Sequence, residues 1–227
     1  MESIVIQQPN KLCIEQRPLP LPKPGEVRIK VKIAGICGSD SHIYRGHNPF
    51  AQYPRVIGHE FYGIIDAVGE GVENKRAGER VVVDPVISCG VCYPCTVGKP
   101  NVCTSLTVLG VHQDGGFSEY VTVPESNVYC IPDSISDRQA VMVEPFTIAA
   151  NVTGQVAPTE NDIALIYGAG PMGLTTVQAL KGAYQVKTVI VVDRIDARLA
   201  MAKACGADET MNNARRSLAE YLAQKGI

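Results

Sequence analysis

Four cysteines in one short excursion of chain, Cys89, Cys92, Cys95 and Cys103, constrain this sequence more than any other feature. The run Cys-x2-Cys-x2-Cys-x7-Cys sets three thiols on successive tight turns and returns a fourth from a short loop. That is how a chain encloses a tetrahedral ion with Zn–S bonds of about 2.3 Å. Gly90, Pro94, Gly98 and Pro100 are turn formers and nothing between the thiols alternates like a strand, so residues of about 86–105 read as a lobe. The bland alternative is a pair of disulfides. Spacings this tight leave little freedom for two unstrained bridges, and no charged segment followed by an apolar run opens the chain. Closed four-thiolate sites are structural, so this metal braces the fold, and metal chemistry needs a second site.

The second site is read upstream. Residues 35–42 run Gly-Ile-Cys-Gly-Ser-Asp-Ser-His and residues 58–60 are Gly-His-Glu. Cys37 and His59 supply a thiolate and an imidazole, and Glu60 or the distant Glu144 adds a carboxylate; three protein ligands with one open position is the catalytic zinc pattern. Singly each residue is weak, because a lone buried cysteine is often inert and a lone histidine is usually a satisfied polar residue. Asp40 is placed to receive the free ring N–H of His59. Ser39 and His42 stand two and five residues past Cys37, so a hydroxyl can pass a proton outward to an imidazole.

A third constellation binds nucleotide. Residues 162–167 form an apolar run of strand length, Gly168-Ala169-Gly170-Pro171-Met172-Gly173 follows, and Leu174 to Lys181 reads as a helix. A lone G-x-G-x-x-G is weak, but this one has a strand before it, a helix after it, and a second strand, Val189–Val192, ending at Asp193. An acid about 20 residues past the last glycine takes the ribose hydroxyls of NAD and repels the extra phosphate of NADP. Arg194 follows and is a possible phosphate contact, but with the acid in place the cofactor is read as NAD.

Together, in this order, the three constellations resemble the zinc-containing medium-chain alcohol dehydrogenase family, over essentially the whole chain. Residues 37–50, 111–120 and 144–152 are similar to its L-galactonate oxidoreductase branch. The resemblance implies two zinc ions per chain, one structural and one catalytic, with Cys37, His59 and a glutamate as catalytic ligands and Ser39 and His42 as proton relay. A glutamate at position 144 is similar to the polyol dehydrogenases, where the carboxylate of Glu60 competes for the metal, so the choice between them stays open. The implied activity is hydride transfer from a secondary alcohol, a polyol or sugar acid, to NAD. Cys37–Tyr44 also resembles the threonine-type amino-alcohol dehydrogenases.

Strand signals and proline-rich turns fill residues 1–150, an all-β domain that the resemblance makes a GroES-like barrel; from Ser136 to about Val156 the pattern turns helical. Residues 151–227 alternate strand and helix, so the fold class is α+β followed by α/β, with the first half of a Rossmann doubly wound parallel sheet. The nicotinamide half has no counterpart here, so the chain reads as a C-terminally truncated dehydrogenase, with a catalytically inactive zinc-binding fragment as the rival. The complete protein is expected to be a homo-oligomer. A formal net charge of −2 with dispersed basic residues argues against a nucleic-acid face, and hence against a zinc-ribbon binder. No apolar stretch approaches membrane-spanning length, and eight cysteines without a disulfide pattern suit a reducing cytoplasm.

Overall fold

The computed structural model describes residues 1–227. It opens with a hairpin that the sequence conceals. Strands β1 (Glu2–Gln8) and β2 (Lys11–Gln16) pair Ile4 with Ile14 and Ile6 with Leu12, and Asn10 turns the corner at φ +63°. Asparagine tolerates that left-handed conformation. The alternation of Glu-Val-Arg-Ile-Lys becomes strand β3 (Glu26–Ala34), which buries Val27 and Ile29 and leaves Lys30 exposed. Helix α1 (Gly38–Tyr44) and strand β4 (Arg55–Val56), which pairs with β1, lead into β5 (Phe61–Val68) and β6 (Arg80–Val83).

The ladder β7 (Val86–Ile87) and β8 (Thr107–Val108) closes the root of the cysteine lobe, with one-turn helix α2 (Tyr93–Thr96) inside it. Strands β9 (Tyr120–Pro124) and β10 (Val128–Cys130) complete a five-stranded antiparallel sheet of order β10-β6-β5-β3-β9. Its inner face buries Ile29, Phe61, Ile65, Val81 and Val123. Each such side chain contributes about 1.5–3 kcal/mol by leaving water.

One expected helix is two. Helix α3 (Asp137–Ala140) is capped by Ser136, whose hydroxyl accepts from the Gln139 N–H while the Gln139 side chain accepts from the Ser136 N–H at 3.0 Å. A break follows before α4 (Val143–Val156). The cause is Pro145, which has no N–H and whose ring would strike the carbonyl four residues back, so it is tolerated only in a first helical turn.

The chain divides into units Met1–Glu144 and Pro145–Ile227. The second unit continues with β11 (Ile163–Tyr167), α5 (Pro171–Gly182), β12 (Thr188–Asp193), α6 (Asp196–Ala204), β13 (Glu209–Asn212) and α7 (Leu218–Lys225). Its parallel sheet has the order β11-β12-β13. The middle strand is apolar from Val189 to Val192 because it is covered twice: Val189 and Val191 pack with Val177, Leu199 and Ala202, and Ile190 and Val192 with Met211 and Tyr221. Strand β11 is at the edge, and its Ile163, Leu165 and Tyr167 are exposed. No helix is long and apolar enough to cross a membrane.

Candidate metal and cofactor sites

The lobe brings its four thiols together. One sulfur from each of Cys89, Cys92, Cys95 and Cys103 lies within 4.8 Å of all the others. The Cys92–Cys95 and Cys92–Cys103 sulfurs are 3.4 and 3.8 Å apart. A tetrahedron with bonds of about 2.3 Å has edges of about 3.8 Å, so the donor set fits a zinc ion. Backbone N–H groups are aimed at the sulfurs: Cys89 N–H and Ser105 N–H donate to Cys103 Sγ at 3.3 and 3.4 Å. They hold the Cys103 thiol below the usual range, and those of Cys95 and Thr104 bring Cys92 down to about 6. Burial, and the proton it shares with Cys92, push Cys95 the other way, to about 12. Four thiolates this close cannot all ionise without a cation between them.

The other cluster is assembled from distant chain. Cys37 caps the N-terminus of α1, and His59 and Glu60 end the segment that enters β5; their ligand atoms lie within 4.8 Å of one another. Asp40, only 2 % exposed, accepts from the Cys37 N–H at 2.8 Å with one oxygen and faces His59 Nδ1 at 3.6 Å with the other. That separation is beyond a direct hydrogen bond, and both facing atoms are otherwise unpartnered. The arrangement leaves His59 Nε2 as the natural donor to a metal, backed by Asp40 on the other ring nitrogen. Hydrogen bonding to His59 lowers the Cys37 thiol, against burial, with help from Ser39. Burial opposes charge on His59, but Asp40 and Cys37 outweigh it and lift the imidazole to about 10. A metal arriving here displaces that proton.

Glu144 stands in the first turn of α4 and is half-buried. It is not one of the mutually close ligand atoms, whereas Glu60 is. Burial raises its carboxyl, opposed by His59 and reinforced by Glu60, Asp84 and Asp40. Asp84, which follows β6, thus adds a charge that no motif marks. Ser39 hydrogen-bonds to Cys37, while His42 is exposed in the last turn of α1, its ring 6.1 Å from that of His47.

The glycine-rich turn has the shape an anion needs. Gly168 follows β11 at φ +110°, and a Cβ on Gly173 would sit 1.9 Å from the Gly168 carbonyl oxygen, so neither position takes a side chain. Gly170 caps α5 with no side-chain bond and has open space beside it, and Pro171 starts the helix, leaving first-turn N–H groups free for a phosphate. Asp193 ends β12 beside this turn. One of its oxygens accepts from Ala169 N–H at 2.8 Å and the other from Arg194 N–H at 2.7 Å and Ile195 N–H at 2.9 Å. The Ala169 N–H is the main cause of its lowered pKa. Met172 and the Arg194 side chain are exposed at the same turn.

Residues 23–133 match the alcohol dehydrogenase GroES-like domain. The starvation-sensing protein RspB of Escherichia coli K12 is 68% identical over 227 residues, all of this chain and 67% of that protein. The chain belongs to the zinc-containing medium-chain alcohol dehydrogenase family. L-galactonate-5-dehydrogenase of the same organism is a more distant relative, 40% identical over 199 residues, covering 87% of the chain and 57% of the relative. The crystal structure of the rspB alcohol dehydrogenase from E. coli CFT073, complexed with the cofactor NADH, superposes with a TM-score of 0.95 at 67% identity, over 100% of this chain and 66% of that one. The chain therefore spans about two thirds of the length of RspB and 57% of that of L-galactonate-5-dehydrogenase. Its architecture is a GroES-like domain followed by a partial Rossmann-like parallel sheet.

Proposed function

We propose that this chain carries the zinc site and the adenosine-binding half of an NAD-dependent dehydrogenase that oxidises a secondary alcohol, a polyol or a sugar acid. The observation that carries the reading is the Cys37, His59 and Glu60 group within 4.8 Å, with the buried Asp40 behind His59. When bound, zinc supplies Lewis-acid polarisation of a substrate hydroxyl and NAD accepts the hydride. Cys37 and His59 hold the metal, and Glu60 and Glu144 are the carboxylates that compete for it. Asp40 fixes the His59 ring and its tautomer. Ser39 takes the substrate proton, and His42, exposed in the last turn of α1, delivers it to solvent. The N–H groups of Gly170, Met172 and Gly173, with Pro171 fixing the start of the helix, hold the pyrophosphate, and Asp193, with Arg194 beside it, selects the ribose of NAD. Cys89, Cys92, Cys95 and Cys103 keep a second zinc that takes no part in the chemistry. The same reading makes the protein a cytoplasmic homo-oligomer, with residues 1–150 as catalytic domain and 151–227 as part of the cofactor domain.

The test is NADH formation by zinc-loaded protein on a panel of polyols, aldonic acids and threonine. Turnover of polyols or aldonic acids is expected; preference for threonine moves the protein to the amino-alcohol branch. One observation favours a second reading, a chain that binds zinc and the adenosine end of NAD without turnover: Ile163, Leu165 and Tyr167 leave β11 an open apolar edge. NADH binding by fluorescence with no turnover of any panel member would select it.

A further inference from the structure

We propose that Arg80 is a positioning residue for the metal site, holding Glu144 in place through the segment that precedes α3. The proposal rests on the reading of Glu144 as a carboxylate of that site. Arg80 lies on β6 with its side chain 20 % exposed. Its guanidinium reaches four acceptors on two parts of the fold. Nε donates to the Tyr62 hydroxyl at 3.0 Å, one terminal nitrogen to the Pro132 carbonyl at 3.1 Å, and the other to the Ile135 carbonyl at 2.6 Å and to Asp137 at 3.0 Å. The guanidinium carbon also sits 5.3 Å from the centre of the Tyr62 ring. A further ion pair, to Asp133 at 3.8 Å, is on the surface and contributes little.

These bonds join two pieces of chain that each end at the metal site. Tyr62, 2 % exposed, is two residues past Glu60 on β5. Residues 132–137 lead through α3 to Val143 and Glu144. The two pieces share one small core: Tyr62, Val82 and Ala140 pack with Ile131, Ile135, Val141 and Val143. Because Pro145 interrupts the helix, α3 cannot hold Glu144 rigidly by continuous hydrogen bonding; the break is bridged from below, by this core and by the Arg80 fork. Tyr62 and Arg80 also keep the Asp137 carboxyl below its usual range, so Asp137 stays ionised against the guanidinium. The clamp needs arginine, because only a planar fork reaches separated acceptors at once, and lysine offers a single point charge.

The chemical consequence falls on where Glu144 stands relative to His59, Glu60 and Asp40, the groups whose charge it feels. A group that hydrogen-bonds a metal ligand changes metal affinity by about 10–100-fold when lost, and Arg80, one contact further out, should change it by less. The bonds to Pro132, Ile135 and Asp137 act on the site through the segment that leads to Glu144, and dependence on Glu144 separates the proposal from general weakening of the fold.

The experiment is a double-mutant cycle on zinc affinity at the Cys37–His59 site, by competition with a chromophoric chelator under conditions where the lobe keeps its own zinc. Glu144→Gln is expected to weaken that site by about ten-fold, and Arg80→Lys by a smaller factor of about three-fold. Arg80→Lys added to Glu144→Gln is expected to have no further effect. Additive effects, or an Arg80→Lys chain with wild-type affinity, overturn the proposal. An unchanged affinity in Glu144→Gln alone overturns the reading of Glu144 beneath it, and the proposal with it. Should Arg80→Lys fail to fold, Asp137→Ala removes an acceptor of the fork on the side that leads to Glu144. A several-fold loss in zinc affinity, again absent in the Glu144→Gln background, supports the clamp; an effect that persists in that background contradicts it.

Discussion

The two thiolate clusters of the first unit are built in opposite ways. The lobe draws all four ligands from Cys89 to Cys103, in a segment whose regular structure is a one-turn helix, a three-residue 3-10 turn (Pro100–Val102) and a two-residue ladder at its root. The Cys37 cluster draws its ligands from two separated stretches, each anchored to the five-stranded sheet through β3 and β5, and its supporting groups sit on still others. A contiguous excursion with no core of its own depends on its ion for shape. A site hung on a sheet whose valines and isoleucines are already buried keeps its shape when the ion leaves. On the function proposed above, the difference separates a metal that is structure from one available for chemistry.

Mutation of one ligand in each cluster is the strongest way to break the comparison. Cys92→Ser should cost the lobe both its zinc and its fold, since structural zinc contributes on the order of 10 kcal/mol in small sites. Cys37→Ser should lose the other zinc while the unit stays largely folded. Metal stoichiometry and thermal unfolding of the two variants check this, and a Cys92→Ser chain with full metal content and unchanged stability would refute it.

A smaller effect sharpens the contrast. Asp40→Asn removes the carboxylate that faces His59 and accepts from Cys37 N–H. Zinc affinity at the Cys37 site should fall about 10–100-fold, while the lobe keeps its zinc. Chelator competition on the variant measures both. Equal loss from the two sites would mean that Asp40 supports the unit rather than the ligand.

The smallest effect is a control in the second unit. Asp193→Asn should leave both zinc ions in place and weaken NADH binding, read by fluorescence titration. It should also alter the pH dependence of stability in a defined direction. The folded carboxyl of Asp193 is held below its unfolded value of about 3.9, so its contribution is present above that pH and lost as pH falls through the folded value. The stability difference between wild type and variant should therefore shrink on acidification. A constant difference down to the acid limit would remove the Ala169 N–H bond as its cause.

How much of this could be read in the sequence follows the same division. The lobe was legible because its ligands are contiguous and its spacers are glycine and proline. The nucleotide turn was legible because strand, glycines, helix and acid come in one order, and the structure adds why: a Cβ on Gly173 would strike the Gly168 carbonyl. The Cys37 cluster was legible as fragments, and whether Glu60 or Glu144 stands nearer the other ligands depends on where α4 begins, which the helical pattern of residues 136–156 hides. The Arg80 clamp was not legible: its partners are 18 to 57 positions away, and Tyr62 reads like any strand residue. The β1–β2 hairpin was missed because polar ends and Pro9 dilute its short apolar run.

The most direct test of the account is a stepwise chelator titration of the zinc-loaded chain, followed together by metal release and near-ultraviolet circular dichroism. Two zinc ions should leave in two phases, the first with the tertiary signal intact and the second with loss of the lobe's structure. Cys37→Ser should show the second phase alone. Release of both ions in one phase, or collapse of the tertiary signal with the first, would contradict a division between a metal that braces the fold and a metal free for chemistry.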